Sequence, residues 1–270
     1  MPFIHDNYIH VPSGKYTIGL DDKAVMKILE TGDDQLKSDY VYASYPSRKI
    51  EQQEFYIAKK TVSLKEFRDF MNATNYITDA EKEGWGWTWI NGWKKIEGLT
   101  WENPFKSFLD DDYRDNEEVL PVLQVSWNDA YAYCQWITGV HGTGFRLPAE
   151  SEWEIFASVF EKIPSPKGVS ALTVEEYFTA LKRICTKNSL ITPAGLVWEW
   201  TSDWYDGYPG GYPNKDFGNV YRVLRGGSLM STETQKIKEY RFRRCPTARS
   251  PFYGFRLCTG DITHAGIKNN

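Results

Sequence analysis

Few residues of this chain can do chemistry, and they are scattered along it. The four cysteines, Cys134, Cys185, Cys245 and Cys258, include no C-x-x-C, so neither a zinc knuckle nor a thioredoxin-type dithiol is supported. Disulfides in an oxidising compartment and reduced thiols in the cytosol both fit that spacing. The four histidines, His5, His10, His141 and His264, contain no i, i+4 pair, and each reads singly as a surface or hydrogen-bonding residue. Arg241, Arg243 and Arg244 cluster beside Cys245 and Pro246. Arg243 and the nearby Arg249 could orient a carboxylate or phosphate through bidentate hydrogen bonds, or only brace the C-terminal half by salt bridges. Five tryptophans, Trp85, Trp87, Trp89, Trp93 and Trp101, stand among glycines. In an extended strand the rings at 85, 87 and 89 project to one side. A stacking platform for a ligand and an aromatic lid over the core both fit.

The elements that would carry these residues are legible in outline. Tyr8 to Leu20 has strand character around a Pro12-Ser13-Gly14 turn, which predicts a hairpin. Residues 21–50 are mostly polar and read as a loop with a short helix near Lys23 to Glu30, and Glu54 to Ile57 reads as a strand. Ser63 and Glu66 form a capping-box pattern ahead of Leu64, Phe67, Phe70 and Met71 at helical spacing. Residues 110–118 read as an acidic surface loop. Further helices are predicted over 126–138, closed by Gly139, over 148–158 with Pro148 in the first turn, and over 173–185. A Pro/Gly/Ser linker covers 161–170, and short strands follow at Tyr221 to Leu224, Tyr240 to Arg243 and Gly254 to Cys258. Helices early and strands late predict one α+β domain over residues 1–270.

Composition narrows the function classes. With 32 Lys and Arg against 36 Asp and Glu, the formal charge is -4, and no long basic block recommends nucleic acid as partner. No run of about 18 apolar residues predicts a membrane span, and the N-terminus shows no secretory signal, so the expected compartment is the cytoplasm. The aromatic load, 11 Trp, 17 Tyr and 14 Phe, suits a loop-rich core and equally a binding face.

Four stretches, taken in order and spacing, are more specific. They are Gly14-Lys-Tyr-Thr-Ile-Gly19; Leu120-Pro-Val-Leu-Gln-Val-Ser-Trp-Asn-Asp-Ala-Tyr-Ala-Tyr-Cys-Gln-Trp136; Phe145-Arg-Leu-Pro-Ala-Glu-Ser-Glu-Trp-Glu154; and Gly195-Leu-Val-Trp-Glu-Trp200 with Arg225-Gly-Gly-Ser228 and Gly254-Phe-Arg256. This pattern resembles the formylglycine-generating (sulfatase-modifying factor) family over about residues 8 to 260. The resemblance implies that family's fold, an elaborated C-type-lectin-like fold with much irregular structure.

The resemblance also implies chemistry, and here the chain departs from the pattern. The family oxidises a peptide cysteine to formylglycine with copper held by two cysteines. The first family position is Ser231 here, and Thr232 to Glu239 contains no cysteine. A hydroxyl is a poor soft-metal ligand and cannot exchange disulfides, so copper through a cysteine pair is not expected. The family's calcium loop matches Thr192 to Trp200, but Thr192 and Leu196 replace its two asparagines, which predicts a weak or absent calcium site with Glu199 paired elsewhere. Iron bound by three histidines, as in relatives of the sulfoxide-synthase type, stays open. The family pairs Cys134 with a cysteine directly after G-F-R; here Leu257 holds that place and Cys258 follows, a shift that reverses the side-chain face in a strand. The resemblance places the ligand face at the Gly-Gly-Ser loop, with Trp198, Arg225, Ser228, Ser231, Arg243 and Arg249. The expected function is therefore binding of a peptide or small-molecule ligand without cysteine-dependent oxidation. The alternative is a divergent metal-dependent oxidoreductase acting in small-molecule or peptide modification.

Overall fold

The computed structural model of the chain describes residues 7–33, 36–107, 109–159, 173–186 and 194–260. His5, His264, Thr192 and the linker predicted at 161–170 lie outside the described residues.

Among the described residues, eleven strands form four small sheets. β1 (Tyr8–Val11), β4 (Phe55–Ala58) and β11 (Cys258–Thr259) make an antiparallel sheet in the order β1-β4-β11. β2 (Gly14–Ile18) pairs antiparallel with β3 (Arg48–Gln52), and β5 (Trp85–Trp89) with β6 (Trp93–Glu97). The fourth sheet has the order β10-β7-β8-β9, with β7 at Trp198–Trp204, β8 at Arg222–Arg225, β9 at Phe242–Arg244 and β10 at Tyr253–Phe255. Its β10–β7 pair is parallel and the others are antiparallel. The hairpin expected from Pro12-Ser13-Gly14 is not formed. The chain changes sheets at that turn instead, because β1 finds β4 and β2 finds β3.

The described helices are α1 (Asp22–Leu29), α2 (Ser38–Tyr42), α3 (Leu64–Thr74), α4 (Asp79–Glu83), α5 (Leu109–Asp115), α6 (Trp127–His141), α7 (Glu150–Ala157) and α8 (Val174–Cys185). Ser63 with Glu66, Ser126 with Asp129 and Thr173 with Glu176 form capping boxes on α3, α6 and α8, each satisfying backbone donors the helix leaves open. Helix α6 runs past Gly139 and closes at Gly142 in the left-handed region, φ +69°. Helix α7 starts at Glu150 after Ala149, so Pro148 precedes it, and the Pro148 carbonyl accepts a hydrogen bond from Ser202 N. The acidic stretch predicted as a loop is α5. Asp110 accepts hydrogen bonds from the backbone N–H of Phe105 and Ser107, and Tyr113 is fully buried.

One large core cluster joins α3, α6, α8 and the β7 sheet. A smaller one joins β1, β2, β4 and α7. Leu257 belongs to the first cluster with Cys134, whereas Cys258 belongs to the second. The one-residue shift therefore sends the two thiols to different cores, and all four cysteines are unbonded.

The sequence motifs meet in ion pairs, buried on both sides except at Arg146. Three glutamates of α7, two residues apart, reach three different arginines. Glu150 takes Arg241 at 2.7 and 3.0 Å, Glu152 takes Arg146 at 2.6 and 2.7 Å, and Glu154 takes Arg225. Glu154 also accepts the N–H of Gly19 at 2.7 Å, so the first motif is bonded to the third and the third to the fourth. On β7, Glu199 receives Arg256 on both carboxylate oxygens and the Trp153 indole N–H at 2.8 Å. Leu196 packs into the main core beside it. Arg225, Arg241 and Arg256 are each at most 1% exposed. Desolvating such charges costs several kcal/mol per ion, which only a full set of partners offsets.

Candidate functional site

The β5–β6 hairpin carries the tryptophans outward. Its register sets Trp85 opposite Glu97, Trp87 opposite Lys95 and Trp89 opposite Trp93, so these six residues share one face. On β5 the opposite face is Gly86 and Thr88, and both are buried. A side chain at 86 has no room there, since a Cβ would lie 2.6 Å from Gln124 Oε1 and 2.9 Å from Leu99 Cβ. The rings at 85, 87 and 93 thus do not cap the core beneath the hairpin; Trp87 and Trp93 are 36% and 42% exposed. Trp89 stacks edge-on with Trp93 at 5.7 Å, and Trp93 meets Phe252 at 5.7 Å, which docks the hairpin against the body.

Between this hairpin and the β9 edge lies a cavity of about 530 Å³. Trp85, Trp87 and Trp93 form one wall; Tyr40 of α2, Tyr221 and Tyr253 contribute further rings. Arg243 and Arg244 of β9 line it with Cys245, Thr247, Ala248, Arg249 and Glu83. Arg249 holds the hairpin in place. Its Nε and NH2 donate to the Trp85 carbonyl at 3.0 and 2.6 Å, NH1 to Thr247 O at 3.0 Å and NH2 to Glu83 at 3.0 Å. Its guanidinium also stacks 4.0 Å from the centre of the Trp85 ring, which Lys95 approaches to 3.8 Å.

Arg243 pairs with Asp216 through one terminal nitrogen and lies 4.4 Å from the centre of the Tyr40 ring. Its Nε and other terminal nitrogen meet no acceptor in good geometry among the described residues. Arg244 donates to the Arg243 carbonyl at 2.9 Å and stacks 4.1 Å from the Phe242 ring centre, with no carboxylate partner among the described residues. Of the six residues predicted for the ligand face, Arg243 and Arg249 line the cavity. Trp198, Arg225, Ser228 and Ser231 are buried at 5% exposure or less and do not line it. Trp198 stacks on Phe242, 4.7 Å between centroids, behind β9. Ser231 Oγ accepts the Ser228 N–H at 3.0 Å, inside the turn that Gly227 makes at φ +71°. Arg244 and Cys245 come with Arg243 from the basic cluster that the sequence displays, whereas Tyr40, Tyr221, Tyr253 and Glu83 were not foreseen as lining, because they come from separate segments and share no local pattern.

No group of three or more histidine, cysteine, aspartate or glutamate side chains suited to a metal ion occurs among the described residues. The residues at the family's copper position do not fit a dithiolate centre: Ser231 offers a hydroxyl already hydrogen-bonded, and 232–239 holds no thiol. Both oxygens of Glu199 are taken by Arg256.

The domain family described as sulfatase-modifying factor enzyme 1-like matches residues 4–163 and 187–260. The chain belongs to this family. Among curated relatives, the formylglycine-generating enzyme of Mus musculus is 29% identical, with 96% of this chain and 76% of that protein covered. The inactive C-alpha-formylglycine-generating enzyme 2 of Mus musculus is 26% identical, covering 93% of this chain and 85% of the relative. In solved structures, PvdO from Pseudomonas aeruginosa shares the fold with a TM-score of 0.60 at 17% identity, over 93% of each chain. The α+β fold with several small sheets is thus that of the sulfatase-modifying factor family. No described helix is long and apolar enough to cross a membrane.

Proposed function

We propose that this family member binds a peptide or small-molecule ligand in the aromatic cavity beside β9 and does not carry out cysteine-dependent oxidation. The cavity carries the reading: about 530 Å³, walled by tryptophan and tyrosine rings with arginines converging on it. That size and lining are those of small-molecule sites, which combine apolar walls with a few placed polar groups. Ser231 and the thiol-free stretch after it support the second half. One relative whose name declares it inactive is matched over nearly the whole chain, which is consistent with the scaffold serving without that reaction. The test is incubation with a sulfatase-type cysteine peptide, copper and oxygen. No aldehyde should form, and formylglycine produced at a rate that depends on this chain would overturn the reading. The rival, a divergent metal-dependent oxidoreductase, draws on the likeness to formylglycine-generating enzymes and on the exposed Cys245 thiol in the cavity wall. Stoichiometric iron or copper in protein purified without chelators would favour it.

A further inference from the structure

The charges and rings around the cavity specify more than that something binds there. Four ionisable side chains other than Tyr and Cys line it: Glu83, Arg243, Arg244 and Arg249. Glu83 is held by Arg249, and Asp216, outside the lining, is held by Arg243. Arg243 is already paired with Asp216, and its other two nitrogens are buried away from the cavity. Arg244 lines the cavity, is only partly buried and has no acidic partner among the described residues. The arginine side of the cavity therefore carries uncompensated positive charge at Arg244. A neutral or cationic occupant would leave it so. An oxyanion would answer it, because a guanidinium fork matches the two oxygens of a carboxylate or phosphate.

The opposite wall sets the rest of the ligand. Trp85 and Trp87 stand edge to face at 5.6 Å, and Lys95 and Arg249 already approach the Trp85 ring. Trp87 and Trp93 keep exposed ring surface at the mouth. Flat π surfaces of this kind gain most from an aromatic partner, by stacking or edge contact beyond area alone. We infer that the cavity takes a planar aromatic group bearing an oxyanion, with the oxyanion on Arg244 and the ring against Trp87 and Trp93. This inference rests on the cavity being the binding site, and it names the chemical class of the ligand.

The experiment uses the full chain and four probes: indole-3-acetate, neutral indole-3-acetamide, aliphatic cyclohexylacetate and phenyl phosphate. Binding is read by calorimetry and by shifts of assigned tryptophan indole N–H signals. Indole-3-acetate and phenyl phosphate should bind at least tenfold more tightly than the amide or the aliphatic acid, with Trp87 and Trp93 signals moving. Arg244→Gln should erase the preference for the acid over the amide and leave amide binding unchanged. Trp93→Ala, with retained folding checked by its unfolding curve, should weaken every aromatic probe, and Trp93→Leu, which keeps an apolar contact on Phe252, should weaken them as well. Equal affinity for acid and amide, or an unaltered preference in Arg244→Gln, overturns the inference while leaving the cavity as a binding site. If no probe moves Trp87 or Trp93, the inference and the cavity reading fall together. N-acetyl-Gly-Gly-Trp and its C-terminal amide extend the series. A tenfold gain of the free-acid peptide over indole-3-acetate would assign the carboxylate to a peptide terminus, and the reverse order to a free small acid; a peptide amide binding as well as its acid counts against the oxyanion.

Discussion

Two regions of this molecule use the same residue types in opposite ways. Around α7 and β7, these arginines and tryptophans are interior groups with a carboxylate partner: Arg225 with Glu154, Arg241 with Glu150, Arg256 with Glu199, and the Trp153 indole with Glu199. At the cavity, Arg244 has no acid among the described residues, Arg243 uses part of its guanidinium, and Trp87 and Trp93 keep a third or more of their surface. Satisfied interior charges give a scaffold with one arrangement. Partly satisfied ones at a cavity give a surface that another molecule can complete. The residues that identify the family thus lie mostly in the first region, and those that would choose a ligand lie in the second.

The largest effect should come from breaking an interior pair. Arg225→Met leaves the buried Glu154 carboxylate without its cation and should cost about 3–5 kcal/mol of unfolding free energy in urea titration. Adding Glu154→Leu should recover part of that loss, because the stranded charge goes, although Gly19 N and the carbonyls of Glu239 and Tyr240 stay unanswered. Failure of the double variant to regain stability would mean that Arg225 acts through those backbone contacts and not through the charge pair.

The same contrast holds for tryptophan. Trp153 is fully buried and hydrogen-bonded, so Trp153→Ala should cost about 3–5 kcal/mol in thermal or denaturant unfolding. Trp93 is 42% exposed, and Trp93→Ala should cost about 1 kcal/mol or less by the same measurement. Similar costs at the two sites would show that the hairpin rings hold the fold and would blur the distinction between the regions.

A third comparison sets the arginine-paired glutamates against a buried acid without an arginine. Asp129, at the start of α6, accepts hydrogen bonds from Ser126 N, Asp79 N and the Tyr76 hydroxyl. Burial is the first cause pushing its carboxyl up to about 6, and the neighbouring Asp79 adds to it. A carboxyl raised in the folded state binds more protons there than in the unfolded chain between about pH 4 and 6. Its contribution to stability is therefore full below about pH 4 and is lost as pH rises through 6. Going from pH 4 to pH 7, the parent should lose on the order of 1 kcal/mol more than Asp129→Asn, measured by urea unfolding at both pH values. An identical pH dependence in the two proteins would remove Asp129 from the account.

How much was legible in the sequence follows from how local each signal is. The capping box at Ser63 and Glu66 was readable because donor and acceptor sit within one turn. Alternation in Trp85-Gly-Trp-Thr-Trp89 predicted one-sided rings, and only the packing of Gly86 against Gln124 and Leu99 fixed which side faces in. The acidic run at 110–115 concealed a helix. Its polarity suggested a solvated loop, while the buried Tyr113 and the hydrogen bonds to Asp110 that order it involve partners no periodicity displays.

By itself, the sequence determined the family, through motifs whose order matches it, and the absence of thiols where the family keeps its cysteine pair. It did so because those motifs carry the glycines and the charges that the interior cannot do without. Tertiary structure alone decided that Arg225, Ser228 and Ser231 are internal, and that Arg243 and Arg244 meet Tyr40, Trp87 and Trp93 around one cavity. The physical reason is distance along the chain: residues some 200 positions apart become neighbours only when sheets and helices pack, and no local pattern records which side of a strand will be left facing open space.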